Sequence, residues 1–253
     1  MKRNILALVL VLVCLPAFGQ TNPNWEYYRT MRWKVKPGQA ENFIKAAAKK
    51  TQMFNNTPET AMVTYRIITG PDQGKFERVF PNKTISQIYS SNPEELNYWN
   101  KNVREFAEEP QGSKIWWRIK DWTVNWDPAQ DGASKYLDVQ TLTIKDGNSE
   151  DFRRYMRRRI DMLKEHSTRK LAVFKMSSGG QLMEFRIITF FDDPMKANGE
   201  WKTEDFDYEE AYNQKYGYNA LNTDSELFRK SIEIYGNFVE THQLVPEMSF
   251  MGN

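Results

Sequence analysis

Few side chains in this 253-residue chain can carry chemistry, and their spacing narrows what that chemistry could be. There are two histidines, His166 and His242. His166 follows the last apolar position of a helical pattern in "LKEHSTRK", where a cation suits the negative end of a helix dipole. His242 lies in "NFVETHQLVP", in an expected last strand; turned inward, its imidazole could serve as a base near neutral pH. Four cations form a second set. Arg66 and Lys175 sit in the second strands of two similar hairpins, and Arg78 and Arg186 in the third, between apolar neighbours such as Tyr65, Ile67, Phe185 and Ile187. Alternation is expected to send all four to the sheet face opposite the helices. Three readings stay open there: an ion-pair network with acids such as Glu77 and Glu184, an anion pocket for a carboxylate, or plain contact with water. Tyr65 and Trp33 are the aromatic candidates for the wall of such a pocket.

Other patterns exclude more than they offer. "GPDQGKF" (70–76) has one residue too few between its glycines for a phosphate-binding loop, and Phe76 where magnesium needs a hydroxyl, so it reads as a hairpin turn. "DPAQDGASKYLD" (127–138) echoes a calcium loop, but Ala129 and Asp138 stand where a third-position oxygen ligand and a bidentate Glu are needed, so a solvated linker is expected. "RRYMRRR" (153–159) puts Tyr155 and Met156 on the core side of a helix and most of its arginines outward. GxSxG, HExxH and GxGxxG are absent. Two histidines and one cysteine, Cys14, exclude a three-histidine or cysteine zinc site, and no metal is expected. Paired-carboxylate hydrolysis stays open, because 33 acids give too many pairs to choose from.

"MKRNILALVLVLVCLPAFGQ" has a basic start, an apolar run of about eleven residues and small residues at Ala17 and Gly19, so residues 1–19 are expected to be a secretory signal peptide. The run is too short to span a bilayer. Cleavage would export the chain to the periplasm or beyond and remove Cys14, Lys2 and Arg3. The mature charge is then close to zero, which points to neither nucleic acid nor an anionic membrane. Aromatics reach 14%, enough to line a pocket as well as fill a core.

The elements that must position these residues come in two copies. "VKPGQAENF" (35–43) returns as "IKDGNSEDF" (144–152), an offset of 109 residues that holds near that value through the next hairpin. Each copy runs strand, turn, helix, strand, turn, strand. The back halves correspond less tightly: "NPEELNYWNK" (92–101) and "DYEEAYNQK" (207–215) read as helices, and "SKIWWRIKDWTVNW" (113–126) and "SELFRKSIEIYGNF" (225–238) as helical ends entering a last strand. Ile115, Ile119, Trp122 and Trp126 also fit a helix. The expected fold is therefore α+β: two ferredoxin-like βαββαβ units, 20–126 and 135–253, joined by the linker 127–134. Helices cover one face of each antiparallel sheet, and pairing the sheets as a pseudo-twofold barrel would bury the other.

The strand ending in "KPG" and the "AENF" helix entry resemble the dimeric α/β-barrel superfamily, which includes antibiotic-biosynthesis-monooxygenase-like, NIPSNAP-like and EthD-like domains, here as a fused tandem. The superfamily holds cofactor-free oxygenases, haem-degrading enzymes and haem-dependent chlorite dismutase-like enzymes. The resemblance therefore implies a haem cofactor as one option, with His242 as axial ligand and an arginine holding a propionate. The leading expectation is an exported protein that binds a small apolar or amphipathic molecule in an aromatic cavity. The alternatives are a haem-using or cofactor-free oxidoreductase, and an interaction module using exposed Trp116 or Trp117. Further oligomerisation is left open.

Overall fold

A computed structural model describes residues 25–108 and 110–252. The expected signal peptide and Cys14 lie outside the described residues. Eight strands form the centre: β1 Tyr27–Trp33, β2 Val63–Ile67, β3 Phe76–Lys83, β4 Ser113–Val124, β5 Tyr136–Thr143, β6 Lys170–Ser178, β7 Glu184–Phe191 and β8 Phe238–Leu244. Six α-helices surround them: α1 Ala40–Phe54, α2 Ile85–Tyr89, α3 Pro93–Asn102, α4 Ser149–His166, α5 Tyr208–Tyr216 and α6 Ala220–Ser231. The strands close into one antiparallel barrel in the order β1-β3-β2-β8-β5-β7-β6-β4. Each half keeps its own four strands together, ordered fourth, first, third, second. The halves join edge to edge, β2 to β8 and β4 to β6.

Local sequence explains the punctuation. Gly38 and Gly147 end the two recurring turns at φ +74° and +81°, a region that favours glycine. Asn92 caps α3 by accepting from the Glu94 and Glu95 amides, with Pro93 at the first helical position. Asp207 caps α5 through the Glu210 amide.

Alternation along the strands divides the apolar residues between inside and outside. Tyr28, Tyr65, Trp116, Leu137, Phe174 and Met176 meet inside the barrel. Outside, Trp33, Phe43, Phe76 and Trp99 form the core beneath α1 and α3. Leu171, Val173, Phe185 and Ile187 form its counterpart with Phe152 and Met156 of α4. Each such fully buried side chain contributes roughly 1.5–3 kcal/mol over leaving it in water.

One sequence expectation changes here, and another holds with a gap between its two elements. Residues 113–124 are one twelve-residue strand, not a helical end. Pairing with β6 shifts between Ile119 and Val124. The irregularity places Ile119 and Trp122, three residues apart, on the same outer core, a spacing that imitates a helix. In 225–238 the helix stops at Ser231 and the strand starts only at Phe238. The basic run 153–159 is also less free than expected: Arg154 Nε (2.9 Å) and Arg158 Nη1 (2.6 Å) donate to buried Asp224 of α6, which also accepts from Tyr212 Oη. His166 ends α4 as expected and stacks on Phe206. Among the described residues, no helix is long and apolar enough to cross a membrane.

Candidate functional site

The barrel is not filled by its own side chains. A cavity of about 780 Å³ lies inside it, lined from strands of both halves. Its walls are mainly apolar, from Val63, Tyr65, Val79, Trp116, Leu137, Phe174, Ile188 and Phe190. Residues 128–130, 132–133, 56–58 and 250–252 line it as well, so the 127–134 linker borders the cavity instead of merely joining the halves. Such a volume and lining suit a drug-sized organic molecule.

Charged residues converge at its inner end. Glu77 on β3 accepts from Arg186 Nη1 at 2.5 Å and from Arg32 Nε at 2.7 Å. Arg32 on β1 also donates to Glu240 on β8, through Nη2 at 2.6 Å, and to Asp72 of the 70–74 turn. Glu240 Oε2 lies 3.3 Å from His242 Nε2. Arg186, Glu77, Glu240 and His242 are all buried. Burial opposes the charge on Glu77, but Arg186 and Arg32 outweigh it and hold the carboxyl well below the usual carboxylate range. Glu240 is shifted the same way: burial raises it, while the His242 contact and Arg32 lower it further. Arg32, desolvated yet flanked by these acids, is held firmly charged. Arg186 stacks its guanidinium over Trp116, 4.3 Å from the ring centre.

Gly70 makes the Asp72 contact reachable. It sits at φ +91°, and a Cβ there would stand 2.7 Å from Glu240 Cγ and 2.9 Å from the Val239 carbonyl. The turn read as a failed phosphate loop is thus pressed against β8 at the acid beside His242.

Of the sequence candidates, the structure brings His242, Arg186 and Tyr65 to the cavity. It places the other four elsewhere. Arg78 lies beneath α1, donating to Thr51 Oγ1 and Thr64 Oγ1 and facing Trp99. Trp33 packs on that same Trp99. Lys175 lies over Phe185 on the outer core, and Arg66 is exposed. The expectation that all four cations share the inner face therefore fails for three of them. Arg66 and Lys175 alternate with Tyr65 and Phe174, which themselves face inward. Arg78 is one residue out of register: the residue 109 positions before Arg186 is Glu77, and the two form the ion pair. Glu184 pairs with Lys114 instead. Trp116 is 1% exposed, so it is no surface anchor, and Trp117 stacks on Trp25. Sequence reading missed Arg32, Tyr28 and Glu240. Their signal was the same alternation, which puts them on the inward face of β1 and β8.

The haem expectation can be tested on His242. Its Nε2 is committed to Glu240, which leaves the neutral ring a lone pair on Nδ1. Nδ1 is the nitrogen next to Cβ and the main chain of β8. His166 lies on the helical side, against Phe206. Ligation of an iron through Nε2 would require His242 to give up its Glu240 contact.

No family model matches the chain, and no curated protein does. Solved structures do resemble it. One is a monooxygenase candidate from Lactobacillus acidophilus, at 9% identity over 87% of this chain and 93% of that one, TM-score 0.52. A second monooxygenase candidate, from Fusobacterium nucleatum, gives 10% identity, 86% and 91% coverage and a TM-score of 0.53. A mutant chlorite dismutase from Candidatus Nitrospira defluvii in complex with cyanide gives 8%, 90% and 93%, and 0.53. At these identities the likeness is one of fold, the dimeric α/β barrel, over nearly the full length of both chains.

Proposed function

We propose that the chain is an oxidoreductase of the dimeric α/β-barrel type that works without a bound cofactor on an apolar organic substrate held inside the barrel. The observation that carries this is the His242–Glu240 pair, buried at the inner end of an apolar cavity, with Arg186 lining the same cavity. A carbonyl-activated CH₂ group would give its proton to His242 Nδ1. Glu240 would stabilise the resulting imidazolium, and the Arg186 guanidinium the developing enolate. The carbanion would add dioxygen, and the hydroperoxide would lose water, so that R₂CH₂ + O₂ becomes R₂C=O + H₂O. The apolar wall would keep competing water from the anion. Two of the structural neighbours are described as monooxygenase candidates, and the proposal follows their pattern in preference to a carrier role.

The proposal extends to organisation. The two halves would be ferredoxin-like units, antibiotic-biosynthesis-monooxygenase-like or NIPSNAP-like in descent, fused in tandem. The shared strand order and the 109-residue offset support this. Export rests on the first nineteen residues alone.

Oxygen uptake with a panel of apolar ketones bearing acidic CH₂ groups tests the chemistry. Uptake should depend on His242 and vanish in His242→Ala. Ligands that bind while no member of the panel drives uptake would leave a binding protein and sink the catalytic reading.

A further inference from the structure

Three buried donors in the cavity-lining residues have no hydrogen-bond partner in the protein: Tyr28 Oη, Trp126 Nε1 and Arg186 Nε. An orphaned buried donor costs roughly 1–3 kcal/mol, so native structures supply a partner, from protein, water or ligand. All three belong to the aromatic lining. Tyr28 is paired in register with Trp116 across β1 and β4. Trp126 lies flat on Phe190, with ring centres 4.1 Å apart and planes 9° apart. Arg186 is stacked on Trp116.

The charges at this site are already balanced. Among the described residues Arg186 is the only permanent cation lining the cavity, and Glu77, also in the lining, takes its Nη1 at 2.5 Å. Behind them Arg32 is opposed by Glu77, Glu240 and Asp72, and Asp72 also takes Lys75. At the far end of the barrel Lys114 is matched by Glu184. Among the described residues that line the cavity, no cation is left unpaired to neutralise an incoming carboxylate. A carboxylate entering this apolar space would be desolvated beside Glu77 with no counter-charge of its own.

We propose that the cavity selects an uncharged, flat, apolar molecule that carries a carbonyl oxygen, of the aromatic ketone or quinone class, with Tyr28, Trp126 and Arg186 as its specificity-determining donors, and that it rejects the corresponding carboxylate. This rests on the cavity being a ligand site, as the proposed function requires, but not on the chemistry performed there.

Three probes of one skeleton separate the components: fluorene, 9-fluorenone and 9-fluorenone-2-carboxylate, titrated calorimetrically into the protein at pH 8. One satisfied buried hydrogen bond corresponds to about a tenfold preference for 9-fluorenone over fluorene, and an unmatched buried charge to at least about tenfold against the carboxylate. Tyr28→Phe and, separately, Trp126→Phe should lower the ratio of 9-fluorenone to fluorene affinity, each ratio being read within the same variant. Equal binding of fluorene and 9-fluorenone overturns the donor assignment. Equal or tighter binding of the carboxylate overturns the charge argument. If none of the three binds, the ligand-site reading falls and takes this inference with it. Selective binding without oxygen uptake sinks only the catalysis.

Discussion

Replacing Glu77 by Gln tests the centre of the barrel most directly. The carboxylate serves Arg186 on one oxygen and Arg32 on the other, at 2.5 and 2.7 Å, and is 2% exposed. An amide keeps the shape but offers one acceptor oxygen and turns an N–H₂ toward the second arginine. Removing one partner of a buried pair costs about 3–5 kcal/mol, because the stranded charge stays desolvated. The remaining Gln oxygen argues for the low end, about 3 kcal/mol. For a domain of this size that corresponds to a fall of about 6–12 °C in Tm. The pH dependence supplies an independent check. Folded Glu77 holds its proton less tightly than an unfolded glutamate, which titrates near about 4.3. Below about pH 5 the unfolded chain therefore binds more protons, and this part of the stability is lost as pH falls. The gap between wild type and Glu77→Gln should be widest near pH 7 and shrink from about pH 5 downward. Urea unfolding followed by tryptophan fluorescence reads both. The double variant Glu77→Gln, Arg186→Met should recover part of the loss, since it removes the stranded cation. A single variant within 1 kcal/mol of wild type at pH 7, or a gap independent of pH, would refute the reasoning.

Other outcomes follow from the same geometry. Gly70→Ala should lower stability by at least about 1 kcal/mol, from the positive φ alone, and should disturb the His242 ring signal in NMR, because the new methyl meets Glu240 Cγ. Burial, with Arg78 nearby, pushes the Lys50 ammonium down to about 8 despite its contacts with Glu95 and Asn55. The unfolded chain then holds more protons between about pH 8 and 10.5, so stability should rise with pH across that window and the rise should flatten in Lys50→Met. Asp224→Ala leaves Arg154, Arg158 and Tyr212 without their common acceptor, and should cost about 2 kcal/mol in urea unfolding without affecting ligand binding. Val79→Trp should occupy part of the cavity and abolish 9-fluorenone binding while the circular dichroism spectrum is retained.

The strand-turn-helix entries were legible because they depend on local physics: a glycine at positive φ and an apolar period. The inward face was legible only in part. Alternation says which residues share a face but not whether that face meets water or another sheet, so nothing local marks Arg32, on the face opposite Trp33, as an inward arginine. Arg78 misled for a different reason. It matches Arg186 in chemistry but not in register, and one residue along a strand reverses the face. In 113–124 an irregular strand wrote helical spacing into the sequence. The ion pairs that join Arg32 to Glu240, and Glu77 to Arg186, span 208 and 109 residues, beyond the reach of any local pattern.

That last number has a consequence for descent. Glu77 and Arg186 lie 109 residues apart, the offset of the recurring sequence pattern, and touch each other, so under the tandem organisation proposed above they are one position written twice on a pseudo-twofold axis. In an assembly of two identical subunits a side chain on the axis meets its own copy, and two buried glutamates or two buried arginines would repel. A heteropolar pair on the axis is open only to a chain in which the copies can mutate independently. Under the proposed tandem organisation the present interior belongs to the fused form. Neither half expressed alone should pair with itself as a stable barrel, whereas mixing the two halves should restore one.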